Sequence, residues 1–484
     1  MSARRWGWIR WTIVALVVLA WALRLPPALE NRFHPDEALY GTWGLLISWW
    51  KDPLLADVPV YKPPLVPYLI AGTQALAGNS ELIVRLPGLL AGVAMVPLVA
   101  ALTQALFHRR WATLGAATAL ALSPFAILFS ATAFTDLPMV ALGLAACLMA
   151  ARGRMGWAGV VAGLSLAAKQ TGAVWLPLAL GLAWLREPAF KRWLWRFVGP
   201  LLGVAGAILV WDVARVASGG KSFWRTGVSG FGGLRLIWPH ELWSRLQGWW
   251  RTGRYLFVSP VLLGVLVVSV GFLTWRALRR RDRQATTTDL LLVTFFLAYG
   301  LFHWLLAFPI WDRYLLPLLP VASILLGRGL ALMVESVRGP AWIAPAALAA
   351  LLLVPALRAS VSYYPVGGDH GAYDGIDEVA DYLGRRPEGS VVYQHWLGWQ
   401  YDYYLFDDHV YVGYWPHPAW LARDVVAFGE RTPHYITFPS WESPARVAHA
   451  LAEVGYALEP VLETTRRDGT RSFIVYRIER GASR

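Results

Sequence analysis

What most restricts the folds open to this chain is a pattern. Long apolar runs recur over its first three quarters, separated only by short breaks, many of them Arg-rich. A bilayer core about 30 Å thick is crossed by a helix of roughly 20 mainly apolar residues, and these runs approach that length. We read spans near 11–29, 82–106, 111–129, 137–151, 156–168, 173–185, 197–211, 258–275, 290–308, 314–334 and 341–357. With 56% hydrophobic and only 15% charged residues, and a mean hydropathy of +0.43, the chain is too apolar for an ordinary soluble domain. The expected fold is a polytopic, all-α membrane protein with about eleven to thirteen transmembrane helices. Its 28 Trp suit that class, because indole rings favour the headgroup boundary. Cys147 is the sole cysteine, so no intramolecular disulfide forms.

A net charge of +13 could point to nucleic acid, but its placement argues for membrane topology. If Arg4, Arg5 and Arg10 are cytoplasmic, then the breaks at 108–110, 151–154, 186–196 and 276–283 put their Lys and Arg on that same side. This is the positive-inside pattern, and no nucleic-acid partner is implied. The expected location is an inner or plasma membrane, multi-pass, with a cytoplasmic N-terminus. The opening run lacks a small-x-small cleavage site before Pro26-Pro27, so we expect a retained helix.

The same topology sends four segments to the exterior: a first loop 30–81, the short break 130–138, a loop 212–257 and everything after about 358. Loop 212–257 carries Trp and Arg in a mixture that reads as interfacial amphipathic helices. Residues 1–357 then form a transmembrane domain. Residues 358–484, richer in charge and shorter in period, predict a small exterior mixed α/β domain with helices around 374–386, 418–430 and 443–456 and a closing hairpin at Asp468-Gly469.

Chemistry is expected on that exterior face. "HPDE" (34–37) places Asp36 and Glu37 just beyond the first span, where they could simply start a helix or serve as a positioned base. Asp136 stands alone in "TAFTDLP" (132–138), either a helix cap or a second acid over the same face. Lys62 in "YKPP" is stiffened by the following prolines, Arg313 opens a span beside Asp312 and Tyr314, and Lys169 adds a third cation. Their bland readings are a snorkelling lysine and a structural Asp-Arg pair. Taken together, carboxylates and cations around a membrane-level cavity suit a lipid phosphate and a hydroxyl nucleophile.

In order and spacing, HPDE, Lys62-Pro-Pro, Thr135-Asp136-x-Pro138, Lys169-x-x-Gly172 and Arg313-Tyr-Leu-Leu-Pro resemble the GT-C glycosyltransferases. The branch they resemble is that of the protein O-mannosyltransferases and the aminoarabinose (lipid A) transferases. The resemblance covers roughly residues 10–330, and the exterior α/β domain matches in position. It implies a polyprenyl-phosphate-linked sugar as donor and a lipid, glycan or protein acceptor. The enzyme would be an inverting hexosyl or pentosyl transferase of cell-envelope glycosylation. By the same resemblance Asp36 is the base or acceptor-positioning group, Glu37 its neighbour and Asp136 the second acid. Lys62, Arg313, Lys169 and Tyr40 are the donor-phosphate residues. His34, His303 and Tyr61 are candidate acceptor or cation contacts. The relatives often have an acidic residue where this chain has Tyr61, which puts metal binding there in doubt. The sequence establishes no cofactor with certainty, and a divalent metal ion held by the acids with His34 or His303 stays open.

The chemistry stands beside the resemblance. A lipid phosphate leaves as a stable anion, so cations lower the barrier, and the acceptor hydroxyl needs a base, for which Asp36 is the choice. A rival reading is a transporter or flippase of lipid-linked sugars, which would keep the cations and need no base. A repeat-built transporter would also show internal symmetry, which this sequence lacks.

Overall fold

The computed structural model describes residues 4–230, 235–279 and 283–481. Parts of the expected loop 212–257 (231–234) and of the break 276–283 (280–282) lie outside the described residues. The apolar runs become helical, several of them broken. Among the described residues six helices are long and apolar enough to cross a membrane, fewer than the eleven to thirteen expected because the other runs are short or broken: Gly7–Glu30, Glu81–Phe107, Lys191–Ala217, Pro260–Arg279, Ala285–Leu305 and Leu318–Ser336. Arg110–Ala121 and Pro124–Ser130 make a seventh if taken as one span bent by 54°. Asp136–Ala151, Met155–Ala168 and Ile343–Ala359 are apolar but shorter, and the run at 173–185 splits into a 3-10 turn, Gln170–Trp175, and a helix, Leu176–Arg186. The chain is a multi-pass membrane protein.

The break at 122–123 has a local cause. Pro124 cannot continue the preceding helix but fits the first turn of a new one, whose cap is Ser123, with Oγ accepting from Ala126 N at 3.2 Å. The carbonyls so freed need donors in a medium without water. Arg24, fully buried, donates to Ala121 O at 3.0 Å and Leu120 O at 3.3 Å, and its Nε to Ser130 Oγ at 3.1 Å. One guanidinium therefore ties both halves of the bent pair.

The segment 30–81, expected as a loop, holds two helices, Pro35–Ser48 and Leu65–Ala77. Segment 212–257 contributes the end of a long helix, Phe190–Ala217, then two amphipathic helices, Phe223–Gly230 and Leu242–Gly253.

The chain divides into two compact units, Met1–Leu29 with Gly44–Gly367, and Glu30–Trp43 with Gly368–Arg484. The second holds a five-stranded sheet: β1 (Val391–Gln394), β2 (Tyr411–Tyr414), β3 (His434–Pro439), β4 (Tyr456–Thr465) and β5 (Arg471–Arg480). Their order is β2-β1-β3-β5-β4, with β1 parallel to β2 and β3 and the last two strands antiparallel. Period-two alternation splits the core between the faces: Val392 and Tyr435 pack with Ile376, Leu383 and Tyr401, whereas Tyr393 and Ile436 pack with Leu421, Val425 and Leu451. The β4–β5 turn falls at the expected Asp468-Gly469, where Gly469 takes φ +81°. Helix Gly398–Tyr404 sits in a stretch too aromatic for its period to show. Residues 30–34 join this unit through Arg467, which donates to Asn31 Oδ1 at 3.1 Å, and through an Arg32–Asp377 ion pair at 3.0 Å.

Candidate active site

Within the first unit a cavity of about 510 Å³ gathers Lys62, Asp136, Lys169, His303 and Arg313, five residues singled out from the sequence. Trp224, Val228, Phe302, Phe308 and Tyr314 are among its apolar walls. Three cations face one carboxylate, so the cavity is electropositive inside an apolar enclosure, where an anion binds more strongly than in water.

Asp136 and Lys169 form a buried ion pair: Nζ lies 2.6 Å from Oδ1, with side chains 3% and 4% exposed. Lys169 is thus paired as well as facing the cavity, and it also lies 5.3 Å over the Tyr314 ring. Its position follows from Gly172. The helix Met155–Ala168 ends at Lys169 and turns at once into the 3-10 segment, so closely that a Cβ on Gly172 would lie 2.5 Å from Ser165 O. The Lys-x-x-Gly spacing is therefore a packing requirement.

Lys62 is buried and does not snorkel, its ammonium 4.9 Å over the Tyr61 ring. Two fasteners hold its segment. Gln170 Nε2 donates to Tyr61 O at 2.8 Å. Arg215, fully buried at the end of Phe190–Ala217, donates to Leu54 O at 3.0 Å, Leu55 O at 2.6 Å and Lys221 O at 2.9 Å. Asp212, 3.6 Å from Arg215, accepts from Ser222 Oγ at 2.6 Å and Phe223 N at 2.9 Å. The pair Asp212–Arg215 thus fixes both the loop before Lys62 and the helix bearing Trp224 and Val228. Sequence reasoning missed it, although an Asp and an Arg three residues apart at the end of an apolar helix are a usable signal.

Arg313 lies with its guanidinium 4.6 Å over Trp311 and 5.2 Å over Phe134. The Asp312 carboxylate accepts from the amides of Arg313 at 2.8 Å and Gly367 at 3.0 Å, which fixes the turn that carries Arg313. His303 is buried, stacked on Tyr299 at 4.2 Å, with Nδ1 3.1 Å from Tyr299 O. That is a hydrogen-bonding histidine in an aromatic box. Among the described residues no group of three or more His, Cys, Asp or Glu is arranged to hold a metal ion.

Asp36, Glu37, His34 and Tyr40 belong to the second unit. Pro35 takes the first position of helix Pro35–Ser48, so the cap is His34 rather than Asp36. His34 Nδ1 accepts from Asp36 N at 3.2 Å, and Glu37 reaches back to His34 N at 3.1 Å, the reciprocal geometry of a capping box. Glu37 is buried in that role and Asp36 half-buried beside it. Tyr40 is buried against Trp43, ring centroids 5.4 Å apart.

The described residues thus comprise a bundle of apolar helices with a charged cavity and a small mixed α/β unit. The profile of the dolichyl-phosphate-mannose-protein mannosyltransferase family matches residues 61–216. The fold is similar to two crystal structures of ArnT from Cupriavidus metallidurans. One is bound to undecaprenyl phosphate, with TM-score 0.65, 14% identity and 98% of each chain covered. The other, in the apo state, has TM-score 0.66, 17% identity and the same coverage. Arabinofuranosyltransferase AftD from Mycobacteria matches with TM-score 0.50 and 18% identity over 100% of this chain and 42% of its own. No curated protein matches the sequence.

Proposed function

We propose that the protein is a glycosyltransferase that moves a sugar from a polyprenyl phosphate to an acceptor hydroxyl on the exterior face of the membrane, with inversion. The observation that carries this reading is the cavity, where Lys62, Lys169 and Arg313 share an apolar enclosure with a single carboxylate. Cations so placed stabilise the charge that develops on a departing lipid phosphate, and the apolar walls accept the first isoprenoid units. The undecaprenyl phosphate in an ArnT structure of the same fold supports that donor class.

Asp36 is the proposed base. It rests on the His-Pro-Asp-Glu motif and on rigidity, because a capping box fixes the helix start that carries it. In this reading Glu37 serves the cap and Asp36 is the carboxylate for chemistry. Asp136 holds Lys169 in place and so acts on the phosphate side. The positive-inside pattern supports the cytoplasmic N-terminus and the exterior α/β domain, residues 358–484. Inversion is the outcome proposed for a single displacement of the lipid phosphate by the acceptor hydroxyl.

The test uses purified protein with a radiolabelled polyprenyl-phosphate sugar. Asp36→Asn abolishes transfer while retaining donor binding, and Lys62→Ala weakens donor binding. Transfer by Asp36→Asn at the parent rate refutes the mechanism, and absence of any transfer with intact donor binding favours a flippase. Retention of the donor's anomeric configuration in the product excludes inversion.

A further inference from the structure

A second cavity of the first unit, of about 370 Å³, is bordered by Arg251, Arg254, Tyr255, Ile310, Trp311 and Asp312 among others. It is separate from the donor cavity but shares a wall with it. In the segment 308–317, Phe308, Arg313, Tyr314 and Pro317 face the donor cavity, whereas Ile310, Trp311 and Asp312 border the second one.

Three features make it an anion site. Its formal charge is two arginines against one carboxylate, and both oxygens of Asp312 already accept backbone amides, those of Arg313 and Gly367. The donors are planar guanidiniums suited to phosphate oxygens, with Arg254 braced 4.9 Å over the Tyr255 ring and donating to its hydroxyl at 2.9 Å. The third is its place at helix ends. The lining comes from the residues just before helix Pro260–Arg279, just before Leu318–Ser336 and just after Ile343–Ala359, three apolar-helix ends that meet there. The amphipathic helix Leu242–Gly253, which supplies Arg251, also carries the exposed Trp243 and Trp250. Arginines among aromatics at the ends of membrane helices are placed to hold lipid phosphates.

We propose that this pocket binds the phosphate of a lipid headgroup, apart from the sugar donor and next to its cavity. The shared wall then lets occupancy of one pocket bear on the other.

The test titrates the full-length protein in detergent with dioctanoyl phosphatidic acid, dioctanoylglycerol and inorganic phosphate, read by calorimetry. We expect the phosphatidic acid to bind and the glycerolipid without phosphate not to. The double variant Arg251→Gln, Arg254→Gln is expected to weaken binding at least about tenfold, as two lost charge-assisted contacts would. Both arginines are exposed, so the variant folds. Lys62→Ala, in the donor cavity, is expected to change this binding less than about twofold, since the two sites share no lining residue. Equal binding by the double variant overturns the proposal. So does inorganic phosphate binding as tightly as the lipid, which would make this a soluble-anion site. No step of the titration needs turnover, so its outcome is independent of the transferase reading.

Discussion

Removing the Asp136 carboxylate tests whether that residue is a scaffold for Lys169 or a chemical group in its own right. In Asp136→Asn the Lys169 ammonium loses a partner at 2.6 Å while its side chain remains 4% exposed. Breaking a buried pair by removing one member costs about 3–5 kcal/mol, and the Tyr314 ring beneath Lys169 argues for the lower end. The first unit has roughly 350 residues, and at the soluble-protein value of about 2.1 cal/mol/K per residue its unfolding entropy is near 0.7 kcal/mol/K. A membrane protein keeps helices on denaturing, so its entropy is smaller and its melting shift larger. The expected fall in Tm is therefore at least about 4 °C. The assay is thermal denaturation in detergent of Asp136→Asn and of the double variant Asp136→Leu, Lys169→Met. Replacing both members by apolar groups of similar volume removes the stranded charge, so the double variant is expected to regain most of the loss. Transfer is not regained, because the donor cavity has lost a cation. If Asp136→Asn melts with the parent, the pair contributes nothing to the fold and the scaffold role is refuted.

Arg215→Leu strands four carbonyls, three in the segment before Lys62 and that of Lys221, and we expect the donor KM to rise by about tenfold with a smaller effect on kcat. Arg215→Lys should not rescue it, because a point charge cannot reproduce the fork; steady-state transfer kinetics decide. Gly172→Ala places a Cβ 2.5 Å from Ser165 O, so overpacking of about 1–3 kcal/mol and weaker donor binding are expected, measured by melting and titration. In the second unit burial, reinforced by Asp374 and Glu37, raises the Asp369 carboxyl from 3.8 to about 6. The folded state therefore binds the proton more tightly than the unfolded one, and stability falls as pH rises from about 4 to about 6, then levels off. Asp369→Asn should flatten that slope in a pH series of melting curves.

Much of this protein is legible in sequence because the signals are local. The apolar runs become helical, several of them broken, and Lys62, Asp136, Lys169 and Arg313, more than 250 residues apart at the extremes, line one cavity. Legibility fails where a residue's partner is remote. Asp136 reads as a cap or a free acid until Lys169, 33 residues on, is seen against it. Arg215 closes on carbonyls some 160 positions earlier, and Arg24 on ones nearly 100 later. It fails locally too: Asp36 looked like the cap, and Pro35 passes that place to His34.

The sequence by itself determined the solvent of this protein. Transfer free energy sums residue by residue along a run, so apolar stretches commit to a bilayer whatever surrounds them. It also determined the alternating strands of the tail, whose period is a property of each segment. Only the tertiary structure decided which charges are paired. Coulomb energy depends on distance and on the dielectric around both partners, and neither exists until the helices have packed.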